Sequence, residues 1–405
     1  MMRISRRRFL QLGLGSMGAL ALGCAGGQRA RSAAGRALPW PLLEVSGSAY
    51  ECGKAIGRRF AREIRAGLER RAEWFSELQR FMRADLATRC KPFLDAAGEH
   101  FPDIAAELRG WADGSGVDYL DLVALNLKAE LGAMIARQKS ESQAAPAGCS
   151  TLALASPDRL LLAHNEDGDL AYADLMFCLR ISQTGKPAFM CLSYPGILPG
   201  NAPAVNEAGL VLTTNFIASS DWKPGVPRYF LDRAILDATS LDQALQIACM
   251  PERAFAFHFN LGSMREQRLL SVETSTSGHA VHEVEGLYLH TNHLILPGMR
   301  QAAQDMDYVN GSSMSRFRVL EKIKRELERD LGAVRGRDLI RALSSHEGAP
   351  YSPCRHPIGE IRGATLASSL FDLRSGLWRV WAGNPCQGEV FELDPGFLVG
   401  AVKRL

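Results

Sequence analysis

The sequence lacks the features that mark zinc sites, membrane spans and nucleic-acid-binding surfaces. Its nine cysteines and nine histidines form no C-x-x-C and no H-x-x-x-H pattern, so local spacing gives no reason to expect a bound metal. The main apolar run, Phe9–Leu22, has about 14 residues, whereas a spanning helix needs roughly 20. The formal net charge is only +3, which leaves no basic surface for nucleic acid.

The first 24 residues are typical of an export signal. Ser5-Arg6-Arg7-Arg8-Phe9-Leu10 resembles a twin-arginine motif, and the apolar run after it ends at Gly23-Cys24. Cys24 resembles a lipoprotein acceptor, but Ala21 stands where leucine is usual, so lipidation stays open. Without residues 1–23 the chain has 43 basic and 44 acidic residues, a net of −1. We expect an exported, periplasmic protein, with a lipid anchor to the membrane as an open alternative.

The composition and the spacing of apolar residues divide the mature chain into three segments. Residues 25–38 are small and basic, as in a flexible tether. Residues 39–148 show helical spacing of apolar side chains and predict a helical segment. The pattern of residues 149–405 predicts short strands with tight turns, among them one strand over 281–290, and helices over 229–238, 241–249 and 315–331. We therefore expect an α+β protein with an all-helical first third and no second membrane-length run.

The junction of these segments is the dipeptide Gly148-Cys149, which follows the polar, proline-broken loop 138–148. A cysteine in such a loop could attack the preceding carbonyl, shift the acyl group to sulfur and become a new N-terminus after hydrolysis. Glycine before it helps, because a residue without Cβ tolerates a distorted backbone. The freed α-amine titrates near ~8 and could serve as the base for its own thiol. A buried structural cysteine is the plainer interpretation of Cys149.

Several motifs in order along the chain resemble the acyl-coenzyme A:isopenicillin N acyltransferase family, also named for 6-aminopenicillanic acid. This is a cysteine-peptidase family of the N-terminal-nucleophile hydrolases. Each motif alone is a weak signal, whereas the full series covers most of the mature chain. The motifs are Val45–Gly53, Glu107–Val117, Cys149-Ser-Thr, His164–Gly168, Val205–Leu210 with Asn215, His290–His293, Ser312–Arg316 and Asn384-Pro-Cys386.

The resemblance implies a four-layer αββα fold and assigns five catalytic residues. Cys149 matches the nucleophile and the point of self-cleavage after Gly148. Asp167 matches the carboxylate that orients the new amine and thiol, and Asn215 matches an oxyanion donor. Asn292 and Arg316 match polar residues that anchor the amine.

Each assignment has a plainer alternative from the sequence alone. Asp167 could form a turn within Asn-Glu-Asp-Gly, Asn215 could be a capping amide, and Arg316 could be a solvated charge that is confused with Arg318. His290 and His293 around Asn292 could suggest a papain-like set, although such enzymes place cysteine at a helix start.

Two further residues are lesser substrate-binding candidates, Asn165 and His293. The related bile-salt and penicillin V hydrolases have arginine where Asn165 stands, which counts against bile-salt chemistry. Cys386 is interpreted as structural, and no disulfide pairing is predicted.

The sequence therefore predicts a self-processing hydrolase or acyltransferase that acts on a small-molecule amide or thioester. Its partners would be the acyl donor and the two fragments, α and β, of the same precursor. The resemblance implies no metal and no organic cofactor. The alternative is an exported binding lipoprotein that keeps the fold and performs no catalysis.

Overall fold

The computed structural model describes residues 38–139 and 148–397. Two β-sheets lie face to face, and helices cover the outer face of each. The export signal, Cys24 and most of the tether lie outside the described residues. Among the residues that are described, no helix combines the length and the apolar character that a membrane span requires.

The larger sheet has eight strands and is mostly antiparallel. Its first strand is parallel to the fourth, with Leu42 opposite Cys178 and Gly47 opposite Gln183. The strands, in sheet order, are β1 (Leu42–Gly47), β4 (Phe177–Gln183), β5 (Phe189–Ser193), β6 (Ala204–Asn206), β7 (Leu210–Phe216), β8 (Phe257–Ser263), β9 (Arg268–Thr274) and β10 (His279–Glu283).

The smaller sheet has six strands and carries the Cys149 junction. Its second and third strands form a hairpin in which Ser150 lies opposite Asn165 and Ser156 opposite Arg159. The strands, in sheet order, are β11 (Gly286–His290), β2 (Ser150–Ser156), β3 (Arg159–Asp169), β12 (Gly363–Asp372), β13 (Leu377–Ala382) and β14 (Val390–Leu393).

The helices form the two outer layers. Helices α1 and α10 pack on the larger sheet, and α12 and α13 pack on the smaller one. The described helices are α1 (Ala49–Arg59), α2 (Ala61–Glu69), α3 (Ala72–Ala84), α4 (Leu86–Arg89), α5 (Lys91–His100), α6 (Pro102–Ser115), α7 (Tyr119–Asn126), α8 (Lys128–Lys139), α9 (Arg228–Ile235), α10 (Leu241–Ala248), α11 (Met306–Tyr308), α12 (Met314–Leu327) and α13 (Gly336–Leu343).

Alternation along the β2–β3 hairpin explains why the smaller sheet is covered on both faces. Ala153 and Leu162 belong to the core between the two sheets. Their neighbours Leu154 and Leu161 belong to a second core under α12 and α13. Because strand side chains alternate between faces, both sides of this hairpin are apolar and need a partner layer. The predicted four-layer α+β fold is confirmed.

Close helix packing fixes the first helical layer. Gly53 and Gly57 of α1 face Gly110 and Gly114 of α6, and a Cβ on any of them would overlap the backbone of the other helix. A capping box at Ser48 begins α1, since its hydroxyl accepts from the Glu51 amide and the Glu51 carboxylate accepts from the Ser48 amide.

Two secondary-structure predictions are wrong. The first third is not all-helical, because Leu42–Gly47 forms the edge strand β1. Residues 281–290 do not form one strand either: the chain leaves the larger sheet after Glu283 and enters the smaller sheet at Gly286, whose φ is +66°. That conformation costs glycine little.

Candidate active site

The Gly148–Cys149 junction lies at the start of β2, with the Cys149 side chain buried. Arg316 donates one guanidinium hydrogen bond to the Cys149 carbonyl oxygen and another, of 3.0 Å, to Ser150 Oγ. Its second amino nitrogen bonds to Asn292 Oδ1 at 2.6 Å. The junction backbone is therefore held from one side by a charged donor.

Gly148 occupies a space that admits no side chain. A Cβ at this position would overlap Tyr308 Oη, Asn292 Oδ1 and Arg316 Nη2. Three polar atoms thus converge on the residue whose carbonyl would be attacked. The sequence argument for glycine at position 148 was that its backbone tolerates distortion. The structure adds a second reason, because the surrounding side chains leave no space for a Cβ.

The arginine that holds the junction is presented by an irregular helix. A turn of π-helix, Val309–Ser313, precedes α12, and such turns are frequent at functional sites. Arg316 is fully buried, whereas Arg318 is exposed. The structure therefore separates the two candidates, and it is Arg316 that reaches Cys149.

Asn292 links the junction to the larger sheet. Its amide nitrogen donates to the Phe216 carbonyl at 2.8 Å, while its carbonyl oxygen accepts from Arg316. Its own backbone amide donates to Ser313 Oγ at 2.8 Å. These bonds hold the Asn292 side chain in one orientation beside Gly148.

Asp167 lies within β3, not in a turn, so the turn-forming alternative does not apply. Thr365 Oγ1 donates to its Oδ1 at 2.7 Å, and Oδ2 has no hydrogen-bond partner among the described residues. Burial raises the pKa of Asp167 to about 7, against the opposing pull of Arg355 and Arg316. The carboxyl group can therefore exchange a proton near neutral pH.

The thiol of Cys149 is protonated at neutral pH in the uncleaved chain. Burial raises its pKa well above the usual value, and the nearby carboxyls of Glu166 and Asp167 raise it further. The Asp167 backbone amide and Arg316 oppose that shift. Because thiolate is the nucleophilic form, a nearby base is needed for any attack.

Asn215 lies between the sheets and bridges them. Its Oδ1 accepts from Thr151 Oγ1 at 3.0 Å and from Asn260 Nδ2 at 3.1 Å, and lies 3.0 Å from His258 Nδ1. Its Nδ2 is buried and has no partner among the described residues. A buried amide donor without a partner is unusual. The neighbours Thr214 and Phe216 line the cavity beside Cys149, whereas Asn215 is not part of that lining.

His164 and Glu166 are site residues that sequence reasoning missed. A ring nitrogen of His164 and a carboxylate oxygen of Glu166 lie within 4.8 Å of the Cys149 sulfur and of each other. His164 also bonds to Thr151 Oγ1 at 2.9 Å, and Glu166 accepts from Tyr194 Oη at 2.7 Å. Both residues belong to the motif His164–Gly168, which also contains the assigned Asp167, so that motif could have identified them as candidates.

A cavity of about 220 Å³ opens beside this group. Cys149, Gly148 and Asp167 lie on its wall, together with basic, aromatic, acidic and aliphatic side chains. Burial, together with the nearby Arg228 and Arg71, lowers the pKa of Lys128 to about 7. The basic and aromatic residues of the lining include Arg71, Trp74, Lys128, Phe216, Arg228 and Tyr229.

The two lesser candidates do not line this cavity. Asn165 donates to the Leu343 and Pro353 carbonyls and accepts from Ser368 Oγ, so its amide is occupied by contacts under α13. His293 bonds through Nδ1 to Ser313 Oγ at 2.8 Å. Neither arrangement supports substrate contact.

His290 shows no papain-like arrangement with the nucleophile. Its ring stacks on His258 with centroids 3.4 Å apart, and its Nε2 lies 3.2 Å from Glu273 Oε1. Burial lowers the pKa of His258 well below its usual value, so this stack contains at least one neutral ring. These rings belong to the polar layer between the sheets.

Comparison with known proteins connects this geometry to a family. The family model described as acyl-coenzyme A:6-aminopenicillanic acid acyl-transferase matches residues 154–387, more than half of the chain. The chain is 25% identical over 375 residues to a β-alanyl-dopamine/carcinine hydrolase of Drosophila melanogaster, covering 86% of this chain and 94% of that one. It is 23% identical over 293 residues to the acyl-coenzyme A:6-aminopenicillanic-acid-acyltransferase 40 kDa form of Emericella nidulans, covering 72% and 78%.

Two solved structures show weaker likeness. A mutant of the conjugated bile acid hydrolase from Clostridium perfringens has 15% identity and a TM-score of 0.40, and covers 61% of this chain and 96% of its own. Penicillin V acylase from Agrobacterium tumefaciens has 13% identity and a TM-score of 0.39, covering 61% and 86%. On the extent of the family match, the chain belongs to the acyl-coenzyme A:6-aminopenicillanic acid acyl-transferase family, which comprises N-terminal-nucleophile hydrolases and acyltransferases.

Proposed function

We propose that the chain cleaves itself between Gly148 and Cys149 and then acts as a cysteine hydrolase or acyltransferase on small-molecule amides or thioesters. The observation that carries the proposal is the enclosure of the junction. Gly148 is crowded by Tyr308, Asn292 and Arg316, and Arg316 donates to the Cys149 carbonyl. Polar groups surround Gly148, which precedes the Gly148–Cys149 peptide bond, and Arg316 binds the carbonyl of Cys149, which follows it. This arrangement supports chemistry at that peptide bond.

Self-cleavage would begin with proton transfer from the thiol. The Asp167 carboxyl group, with its pKa of about 7 and an oxygen without a described partner, can accept that proton. The sulfur then attacks the Gly148 carbonyl, and the amide C–N bond breaks as the Cys149 nitrogen takes a proton. Water hydrolyses the thioester, which leaves Gly148 as a carboxylate and Cys149 with a free amine.

Turnover of substrate would reuse the same thiol. The new α-amine of Cys149, with a pKa near ~8, takes the thiol proton, and the thiolate attacks the substrate carbonyl. The buried Asn215 Nδ2 supports the role of oxyanion donor, where one donor is worth roughly 3 kcal/mol of barrier. The amine of the substrate leaves with a proton, and water or an acceptor amine takes the acyl group.

The cavity lining favours substrates with an apolar or aromatic group next to the amide. Trp74, Phe216, Tyr229 and Phe257 supply rings, and Arg228 lies over the Phe257 ring at 4.7 Å. The two relatives are named for a hydrolase and an acyltransferase. We therefore extend both reactions to this chain as proposals. Export is a separate proposal that rests on the motifs of the first 24 residues, with lipidation of Cys24 as an open alternative.

Replacement of Cys149 by alanine tests the proposal. The variant should fold, remain a single chain and lack amidase activity, because the loss of one buried thiol costs on the order of 1 kcal/mol. Cys149→Ser should cleave slowly, since a hydroxyl gives up its proton far less readily than a thiol. Intact mass should show a fragment that begins at Cys149 in the wild type, and a panel of N-acyl amides gives the activity.

Cys178→Ala is a matched control, because Cys178 is another buried thiol and lies in β4. It should be cleaved and active like the wild type. A Cys149→Ala protein that is still cut before residue 149, or still hydrolyses amides, would contradict the proposal. A wild-type chain that stays whole and binds acyl amides without turnover would instead support a binding lipoprotein.

A further inference from the structure

Four potential metal ligands meet on the smaller sheet's side of the molecule, away from the cavity lining. His346 follows α13, Cys354 and His356 precede β12, and Cys386 lies between β13 and β14. One ligand atom from each lies within 4.8 Å of the other three. Sequence spacing did not reveal the set, because it is spread over residues 346–386.

The distances among these atoms match a tetrahedral centre. The Cys354 and Cys386 sulfurs are 3.6 Å apart, and they lie 3.7 and 3.5 Å from His356 Nε2. His356 Nε2 and His346 Nε2 are 3.2 Å apart. A tetrahedral zinc ion with bonds of about 2.3 Å to sulfur and 2.0–2.1 Å to nitrogen separates its ligands by about 3.8 Å for S–S, 3.6 Å for S–N and 3.3 Å for N–N. Each of these four ligand–ligand separations agrees with that geometry within about 0.2 Å.

A neighbouring side chain supports one of the sulfurs. Asn384 donates through Nδ2 to Cys354 Sγ at 3.3 Å and to the Arg355 carbonyl at 2.6 Å. Such outer donors stabilise thiolate ligands and orient them. The two sulfurs are also much farther apart than the about 2.05 Å of a disulfide.

We propose that His346, Cys354, His356 and Cys386 bind one zinc ion. All four positions are supplied by the protein, so the centre is closed and structural. Two thiolates and two imidazoles form a ligand set that suits zinc. None of these four residues takes part in the proposed cleavage chemistry at Cys149.

The zinc ion would hold in place the loop around Arg355, which is linked to Asp167 through Thr365. Arg355, between two of the ligands, is buried, and its backbone amide donates to Thr365 Oγ1 at 3.0 Å. Thr365 Oγ1 in turn donates to Asp167. The ion would thus stabilise the position of the carboxyl group without contacting it.

Elemental analysis of the purified, reduced full-length protein tests the site. We expect about one zinc per chain in the wild type, as in closed four-ligand sites, and none retained in Cys354→Ser/Cys386→Ser after dialysis. Cobalt(II) should give the visible bands of a tetrahedral thiolate centre in the wild type only. Asn384→Ala should weaken zinc affinity, measured by chelator competition, by about 10- to 100-fold.

Two variants keep the test decisive if the double variant fails to fold. His346 is exposed, so His346→Ala should fold and still lose zinc affinity. Cys249→Ser, a half-buried thiol in another layer, should bind zinc like the wild type. The proposal is overturned if the reduced wild type binds no zinc, if the double variant binds as much, or if thiol trapping finds Cys354 and Cys386 joined as a disulfide in the native protein.

Discussion

Asp167 is the residue whose protonation should set the pH dependence of self-cleavage. Its pKa of about 7 means that the group is mostly protonated below that pH and mostly ionised above it. Only the ionised form can accept the Cys149 proton. Cleavage of freshly folded precursor should therefore speed up as pH rises through about 7, measured as the appearance of the 149–405 fragment on denaturing gels.

Asp167→Asn should abolish that pH step and slow cleavage by roughly 10²–10⁴-fold, the usual contribution of a general base. The amide keeps an oxygen to accept from Thr365, so the fold should be retained. Equal cleavage rates for the variant and the wild type across this pH range would assign the proton transfer to another group, such as His164, which has a ring nitrogen within 4.8 Å of the thiol sulfur.

Asn215 and Asn260 offer a matched pair for testing the oxyanion role. Both are buried amides in the same inter-sheet network, but only Asn215 has an Nδ2 without a described partner. Asn215→Ala should lower kcat by about 10²–10³-fold. Asn260→Ala should lower stability to a similar degree and leave kcat much closer to that of the wild type. Equal losses of kcat in steady-state assays of both variants would make Asn215 a structural amide.

Among helices, the contact between α1 and α6 depends on glycine. A Cβ at Gly53 would overlap the Glu107 carbonyl, so Gly53→Ala should destabilise the fold by roughly 1–3 kcal/mol, as overpacking does. Gly98 lies in helix α5, and a Cβ at this position would meet no other atom of the described residues within 4 Å. Gly98→Ala should therefore stabilise the fold by about 0.5–1 kcal/mol.

Urea unfolding of both variants, monitored by circular dichroism, measures the difference. The comparison is internal, because both changes add one methyl group to a helix. If Gly53→Ala proved as stable as the wild type, α1 and α6 could move apart at little cost in free energy. The close contact would then not require glycine at this position.

The elements differ in how far their sequences determine them. The strands after Cys149 were predictable because apolar runs are separated by turns such as Pro157-Asp158. Strand β1 was not, because it is a half-exposed edge strand held by parallel pairing with β4, a partner distant in sequence. Residues 281–290 were predicted as one strand because the local pattern does not record which sheet each half joins.

The same limit applies to the functional residues. Gly148 and Cys149 are adjacent, so the dipeptide and its loop could suggest self-cleavage, but a structural cysteine was the plainer interpretation until the family resemblance was added. The roles of Asp167, Asn215, Asn292 and Arg316 came from the family resemblance, and the structure adds their contacts. The proposed zinc ligands come from two loops, the α13–β12 and β13–β14 connections, and only the folded chain brings them together.

At the scale of the whole molecule, the two fragments expected from cleavage share one core. Strand β1 of the first fragment is paired along its full length with β4 of the second. Phe60 stacks on Phe177 with centroids 3.7 Å apart. Glu107 and Arg233, both fully buried, form an ion pair of 2.9 Å across the two fragments.

Cleavage at Gly148 should therefore leave the fragments associated. Separation would expose the apolar core that the fragments share and break the Glu107–Arg233 pair, although Arg233 would keep its pair with Asp237. Removal of Arg233 from the intact protein would leave the Glu107 carboxylate buried without its cationic partner, which typically costs about 3–5 kcal/mol. Native size-exclusion chromatography of the processed protein should give one peak that resolves into two bands on a denaturing gel. Arg233→Met should weaken the association and lower the urea midpoint, whereas Arg318→Met, at an exposed position on α12, should change neither. If the fragments separated without denaturant while the 149–405 fragment kept its activity, the helical segment would be dispensable after processing.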